Sequence, residues 1–259
     1  MQNNEKKFIT KFKVISSKGW IQSTTTGYIA VGITFEKELG KKSDSLYLPD
    51  FEGIEIKCQQ RFSNYPLNLF SKALDGPYLY STNEFLQKYG IQNEKYDKKE
   101  IYLNLKTKEY TFQNGYYFKL KIEKEEERIY IETYNNKYQL IEKEYYIDFK
   151  SIKEILELKL NTLAHIRASM RMFDNKKYFR YYQIQLYKNK GFEVFLKLLE
   201  QDIINTSFIC RVSKTKYTEG KNKNKGFHFT INQENINKLF NEIYYYSSDN
   251  KKEKTNQND

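Results

Sequence analysis

The sequence predicts a mixed α/β fold in two lobes, on three observations. Apolar residues recur at helical spacing near the start (Phe8, Phe12, Ile15) and again at Phe192, Phe195, Leu196, Leu199 and Ile203. Residues 100–149 instead alternate in type as half-buried strands do. The pair Asn114-Gly115 inside that stretch is a strong hairpin signal, because both residues tolerate positive φ.

Taken in order, the first helix carries Phe8, Phe12 and Ile15 on one face, and a Ser/Thr-rich loop, Ser23 to Thr26, leads to Gly27. Tyr28 to Leu39 reads as a second helix stopped by Gly40. Leu46–Leu48 and Ile54–Cys58 read as short strands about the turn Pro49 to Gly53. A helix over Thr82–Lys88, capped by Ser81 or Thr82, ends at Gly90. Strands are expected at Ile101–Leu105, Tyr110–Phe112, Tyr116–Ile122, Arg128–Thr133 and Tyr138–Ile141. Ser151-x-x-Glu154 has the capping-box pattern and opens a helix to Leu160. Strands at Leu163–Phe173 and Tyr178–Leu186 precede the amphipathic helix from Phe192. Then come a strand at Phe208–Val212, a basic loop Lys214–Lys225, a strand Gly226–Ile231 and a helix Glu234–Tyr246. One domain over 1–247 is expected, with a catalytic lobe centred on 20–150, a recognition lobe centred on 160–245 and a disordered tail over 248–259.

Composition narrows the function. No apolar stretch approaches the length of a membrane span, and the polar start lacks the apolar segment of a signal peptide, so a cytoplasmic protein is expected. Cys58 and Cys210 are too few for a disulfide framework or a zinc site. The net charge is +11, yet 38 of the 44 basic residues are lysine in a chain also crowded with Asn, Ile and Tyr, as AT-rich coding would produce. Its distribution says more: residues 1–150 carry +3 and residues 151–259 carry +8, as a phosphate-facing surface requires.

Four Glu-x-Lys triplets occur, at Glu5, Glu55, Glu157 and Glu219. Only Glu55 and Lys57 lie on a predicted strand, where period two sends both to one face and Ile54, Ile56 and Cys58 to the other. Asp50 stands at the mouth of the turn entering that strand. An Asp and a Glu converging in this way offer hard oxygen ligands of the kind Mg²⁺ prefers, and the Ile56 carbonyl adds a third. Lys57 beside them is placed to orient a water and offset charge on a phosphate, with Glu36 as a supporting acid. A solvated strand edge accounts for the same spacing.

A longer pattern separates the two. Thr26-Gly27-Tyr28-Ile29-Ala30-Val31-Gly32-Ile33-Thr34-Phe35-Glu36, followed by Leu48-Pro49-Asp50-Phe51-Glu52-Gly53-Ile54-Glu55-Ile56-Lys57, resembles the MvaI/BcnI family of type II restriction endonucleases, nearer its MvaI side. That family is related to the mismatch-repair nicking enzyme MutH within the PD-(D/E)xK nuclease fold. Leu67 to Lys72, Lys159 to Tyr181 and Gly220 to Asn232 extend the resemblance over most of residues 18–240. It implies a mixed sheet flanked by helices, two lobes forming a DNA cleft, and Mg²⁺-dependent hydrolysis of double-stranded DNA leaving 5′-phosphate and 3′-hydroxyl ends. It implies a monomer cutting the strands in turn, with a cognate DNA methyltransferase encoded nearby. Asp50 and Glu55 become metal ligands, Lys57 the catalytic lysine and Glu36 the helix-borne acid of the same site. The recognition loop departs from the family pattern of histidines and an arginine: Lys221, Lys223, Asn224, Lys225 and His228 stand there as candidate DNA contacts. In Ala164–Met172, His165, Arg167, Ser169 and Arg171 alternate with Ile166, Ala168, Met170 and Met172, making Arg167 and Arg171 further candidates against an ordinary solvated sheet face.

Overall fold

The computed structural model describes residues 1–41, 48–214, 218–249 and, for the backbone alone, 252–255. Leu46 and Tyr47 of the expected strand Leu46–Leu48, and part of the basic loop, therefore lie outside the described residues, and Leu48 stands in a bend. The chain runs α1 (Asn3–Ser17), β1 (Ile21–Gln22), α2 (Ala30–Glu38) and β2 (Ile54–Gln60). It continues with β3 (Leu67–Lys72), α3 (Ser81–Tyr89), β4 (Ile91–Asn93), β5 (Lys98–Leu105), β6 (Thr111–Gln113), β7 (Tyr116–Glu123), β8 (Arg128–Tyr134) and β9 (Leu140–Asp148). After α4 (Phe149–Leu158) come β10 (Thr162–Phe173), β11 (Lys176–Asn189), α5 (Phe192–Glu200), β12 (Ile204–Val212) and β13 (Asn222–Ile231). A 3₁₀ turn, Gln233–Asn235, leads to α6 (Ile236–Leu239), β14 (Phe240–Ser247) and β15 (Lys252–Thr255).

Two compact units result, and they interleave in sequence. Residues 1–65, 154–191 and 236–259 form one; 66–153 and 192–235 form the other. The expected division near residue 150 gives way because β2 pairs parallel with β10, Glu55 opposite Leu163 and Lys57 opposite His165. Strands a hundred residues apart thus share one sheet, ordered β15-β14-β11-β10-β2 with β1 on β11.

In this first unit α1 and α2 cover one face of the sheet. Phe8, Phe12 and Ile15 of α1 and Val31 and Phe35 of α2 pack with Ile54, Ile56, Ala164, Ile166 and Ile184. The Phe35 ring touches Phe8, Phe12 and Tyr181, with centroids 6.4, 6.2 and 5.0 Å away, and the buried Tyr181 hydroxyl donates to the Val31 carbonyl at 2.8 Å. Phe35→Ala is expected to cost about 3–5 kcal/mol, because the aromatic cage around it cannot collapse into the space; a denaturant midpoint implying less than about 1 kcal/mol would contradict that packing.

The second unit holds a five-stranded sheet, β3-β13-β12-β5-β4, and a four-stranded one, β6-β7-β8-β9. Phe85 of α3 joins them, its ring within 6 Å of Tyr89, Phe118, Tyr145 and Phe208. The hairpin at Asn114-Gly115 forms as expected, both residues at positive φ. Gly226 on β13 has φ +70°, and a Cβ there would meet the Lys72 carbonyl at 2.5 Å, so β3 approaches this close only because the residue is glycine.

Four expectations are corrected. The helix expected over Glu234–Tyr246 is only the four residues of α6, and β14 takes the rest, pairing with β11. A bulge between the Leu186–Tyr244 and Tyr187–Glu242 pairs puts Phe240 and Tyr244 on opposite faces of the sheet, and with both faces covered the buried residues Phe240, Tyr244 and Ser247 recur at intervals of four and three, as they would in a helix. The α4 helix starts at Phe149, which leaves Ser151 inside it rather than capping it. No side-chain cap bond closes α3: Ser81 bonds Tyr78, and Thr82 accepts from the Leu74 amide. The C-terminal segment is held at its start, Ser248 donating to the Tyr182 carbonyl and Asp249 pairing with Arg61 and Arg180, and β15 adds a strand to β14. Residues 250, 251 and 256–259 lie outside the described ones.

Candidate active site

Local chemistry positions each acidic residue. The α2 helix ends in a Schellman motif: Gly40, at φ +82°, donates to the Lys37 carbonyl and Lys41 to the Glu36 carbonyl. The chain is thereby turned so that Lys41 meets Asp50, Nζ to Oδ1 at 2.5 Å. Between Phe51 and Ile54 the backbone closes a two-residue turn, N–H to carbonyl in both directions (2.9 and 2.7 Å), with Glu52 and Gly53 at φ +41° and +87°. The turn is pinned to α1 by the Asn4 amide on the Glu52 carbonyl (2.8 Å), by the Lys7–Glu52 ion pair and by the Phe51 ring 5.2 Å from Phe8.

That turn folds Asp50 back onto β2, where its Oδ2 accepts from the Ile56 amide at 2.9 Å. β2 is the edge strand, so Ile56 has spent its N–H on Asp50 rather than on a neighbouring strand. In an extended strand a residue's N–H and C=O leave on the same side, which puts the Ile56 carbonyl on Asp50's edge. Lys57, the next residue, donates to Glu55 Oε1 at 2.7 Å, and Lys159 stands 3.8 Å from the same oxygen.

Glu55 is almost fully buried, and its second oxygen, Oε2, accepts no hydrogen bond from any described residue. Burial first, with Asp50 adding to it, raises the Glu55 pKa against the opposing pull of Lys57 and Lys159. Glu36 is raised as well, by burial and then by Asp50, with Glu55 adding; Lys41 and Lys57 oppose. These mutual influences place Glu36, Asp50, Glu55 and Lys57 in one electrostatic neighbourhood.

The expected DNA contacts are arranged less simply. Arg167 is half-buried, its guanidinium donating to the Gln60 carbonyl at 3.3 Å, and burial lowers its pKa. Arg171 lies with its guanidinium 4.4 Å from the Trp20 ring and 5.7 Å from that of Tyr178. Met170 and Met172, on the face of β10 that carries the buried Ile166 and Ala168, are exposed towards the tip of the β10–β11 hairpin. In the second unit Lys221 precedes β13, and Lys223, Asn224, Lys225 and His228 lie on it rather than on a loop. Desolvation, then Arg211 and Lys223, lower the pKa of Lys225, as expected of cations crowded on one strand pair. Asn224 donates to the Asn83 side chain at 2.5 Å and leaves its own Oδ1 buried without a donor among the described residues.

The model of the MvaI/BcnI restriction endonuclease family matches residues 9–240, nine-tenths of the chain. The chain belongs to the MvaI/BcnI family. Among solved structures it is similar to the restriction endonuclease MvaI in complex with its cognate DNA substrate, at 25% identity, TM-score 0.85, over 93% of this chain and 98% of that one. It is also similar to MvaI in the absence of DNA, at 23% identity and TM-score 0.58, over 93% and 97%. The second comparison speaks for the fold alone. No curated protein matches.

Three residues near the MvaI/BcnI motif were not legible in the sequence. Lys41 is carried in by the helix cap and Lys159 by the turn into β10. His165 lies opposite Lys57 on β10, fully buried, its Nε2 2.9 Å from Gln59 Oε1. Burial, then Arg167, pushes its pKa down to about 3, so it is a neutral packing group and not an acid or base at working pH. Only the parallel β2–β10 register brings Lys159 and His165 in, and no spacing within either segment announces it.

Proposed function

We propose that this chain is a type II restriction endonuclease that hydrolyses phosphodiester bonds of double-stranded DNA at a short recognition sequence, with Mg²⁺, leaving 5′-phosphate ends. The observation carrying the reading is Glu55: a buried carboxylate two residues from Lys57, beside Asp50, with one oxygen unsatisfied. An unpaired buried carboxylate oxygen is costly unless a cation meets it.

Among the described residues no three acidic, histidine or cysteine side chains form a preformed metal group. The donor set here is different in kind, two carboxylates and the backbone carbonyl of Ile56, all hard oxygens, and it fits Mg²⁺, which keeps several of its own waters. Asp50, Glu55 and the Ile56 carbonyl would hold the ion, which when bound supplies Lewis-acid stabilisation of phosphoryl charge. Lys57, held by Glu55, orients the attacking water and balances negative charge as the phosphate becomes more crowded. Glu36 takes the waters on the α2 side of the site. Lys41 neutralises Asp50 in the metal-free protein. The lysines of β13 and Arg171 supply phosphate and base-edge contacts.

A supercoiled plasmid tests this. Wild type in Mg²⁺ is expected to give discrete linear fragments, and EDTA or Asp50→Ala to abolish them. Accumulation of open circles alone would mean a strand nickase, and binding without any cut a non-catalytic DNA-binding module.

A further inference from the structure

The catalytic strand does not end at its catalytic residues. β2 runs on through Gln59 and Gln60 into a turn carrying Arg61, Phe62 and Tyr65, beside an open pocket of about 850 Å³. At about 3.3 Å per strand residue the strand ends, at Gln60, about 10 Å beyond Lys57, or roughly three base-pair rises.

Three aromatic rings stand at this pocket, and all face solvent: Phe62 and Tyr28 are each 88% exposed and Tyr65 71%. Large apolar rings gathered this way mark an interaction site rather than scattered surface residues. The turn that presents Phe62 is fixed. The Arg61 amide donates to the Ala168 carbonyl at 2.8 Å, and the Ser63 amide donates to the Gln60 carbonyl at 3.0 Å. The Arg61 guanidinium lies 5.9 Å from the Phe62 ring and 5.1 Å from that of Tyr182, anchored on Asp249 at 3.0 Å. The ordering cost of presenting that ring is therefore already met in the free protein.

Charge and hydrogen-bonding groups select the partner. Asp249 is shared by Arg61 and Arg180, which leaves one positive charge over, and Lys177 at the pocket adds another. No carboxylate is among the described residues lining it, and the Gln60 amide offers both a donor and acceptor. Flat aromatic faces, an amide edge and surplus positive charge suit a nucleobase with its phosphate.

We propose that Phe62 enters the base stack within about three base pairs of the scissile phosphate and that this pocket receives the unstacked base. The proposal rests on the nuclease reading and adds a second DNA-contacting element to it, on the catalytic unit itself.

The test uses duplexes carrying the sequence found at the ends of wild-type fragments, with 2-aminopurine placed in turn at each position within three base pairs of the cut. Fluorescence is read with Ca²⁺ replacing Mg²⁺ to slow the chemistry. Wild type is expected to raise the emission at least threefold at one position, Phe62→Trp to retain the rise, and Phe62→Ala to lose it with an unchanged Tm. Flat emission at every position from wild type that still cleaves the duplex in Mg²⁺ overturns this proposal alone, as does an equal rise with Phe62→Ala. Wild type that cleaves nothing overturns the nuclease reading, and this one with it.

Discussion

Replacing Lys57 by alanine is expected to lower the single-turnover cleavage rate by about 10²–10³-fold, the usual loss when one preorganised stabiliser of transition-state charge is removed. The effect has two parts. The ammonium proposed to face the reacting phosphate is lost, and Glu55, buried at 2% exposure, loses its 2.7 Å bond to that ammonium. Lys159, at 3.8 Å, is too far to replace it. DNA affinity measured in Ca²⁺ is expected to stay within a few-fold of wild type, since one cation among many contributes about one unit of the salt slope. A rate within tenfold of wild type would remove Lys57 from the chemistry.

The second expectation concerns Glu55 and runs against the usual direction of a core substitution. Its folded-state pKa is raised above the ordinary 4.5 by burial, with Asp50 adding to it. For an acid with a raised pKa, the stabilising contribution is present below the unfolded pKa and is lost as pH climbs through the folded one. Above that raised pKa the metal-free protein therefore carries an ionised, buried carboxylate that weakens it. Glu55→Gln keeps the shape, removes that charge and is expected to raise the metal-free Tm at pH 8 while abolishing cleavage; each kcal/mol gained corresponds to about 2–4 °C in a chain of this size.

A divalent cation at 100 times its Kd should raise the wild-type Tm by roughly 5–10 °C, from about 2.7 kcal/mol of linkage, and leave Glu55→Gln little changed. The activity of wild type should rise with pH through a range above the ordinary carboxylate one, because the proposed mechanism uses Glu55 and Glu36 as carboxylates and both pKa values are raised. A metal-free Tm several degrees lower for Glu55→Gln would show that the Lys57–Glu55 pair stabilises the fold and that the site carries no stored cost.

The parts of this molecule that could be read from sequence are those fixed by neighbours in the chain. Gly40 had to stop α2, the turn before Ile54 had to return the chain, and period two had to place Glu55 with Lys57; the structure has all three. What could not be read depends on distant pairing. Lys159 and His165 reach the site through a parallel register between strands more than a hundred residues apart. β14 read as a helix because its buried residues, Phe240, Tyr244 and Ser247, lie on both faces of the sheet and so recur at a helical interval. Asp249, placed in a disordered tail by its polar surroundings, instead joins Arg61 and Arg180. The +8 of residues 151–259 is spread over β13, the β10–β11 hairpin and the flanking segments.

The account rests on one claim, that Asp50, Glu55 and Lys57 together hydrolyse DNA at a fixed sequence. Digesting unmethylated phage DNA with wild type in Mg²⁺, beside Asp50→Ala, and sequencing the fragment ends tests it most directly. The predicted result is one short sequence at every end, a constant stagger and 5′-phosphates, with no fragments from the variant. Ragged ends of no common sequence, or the same fragments from Asp50→Ala, would contradict it.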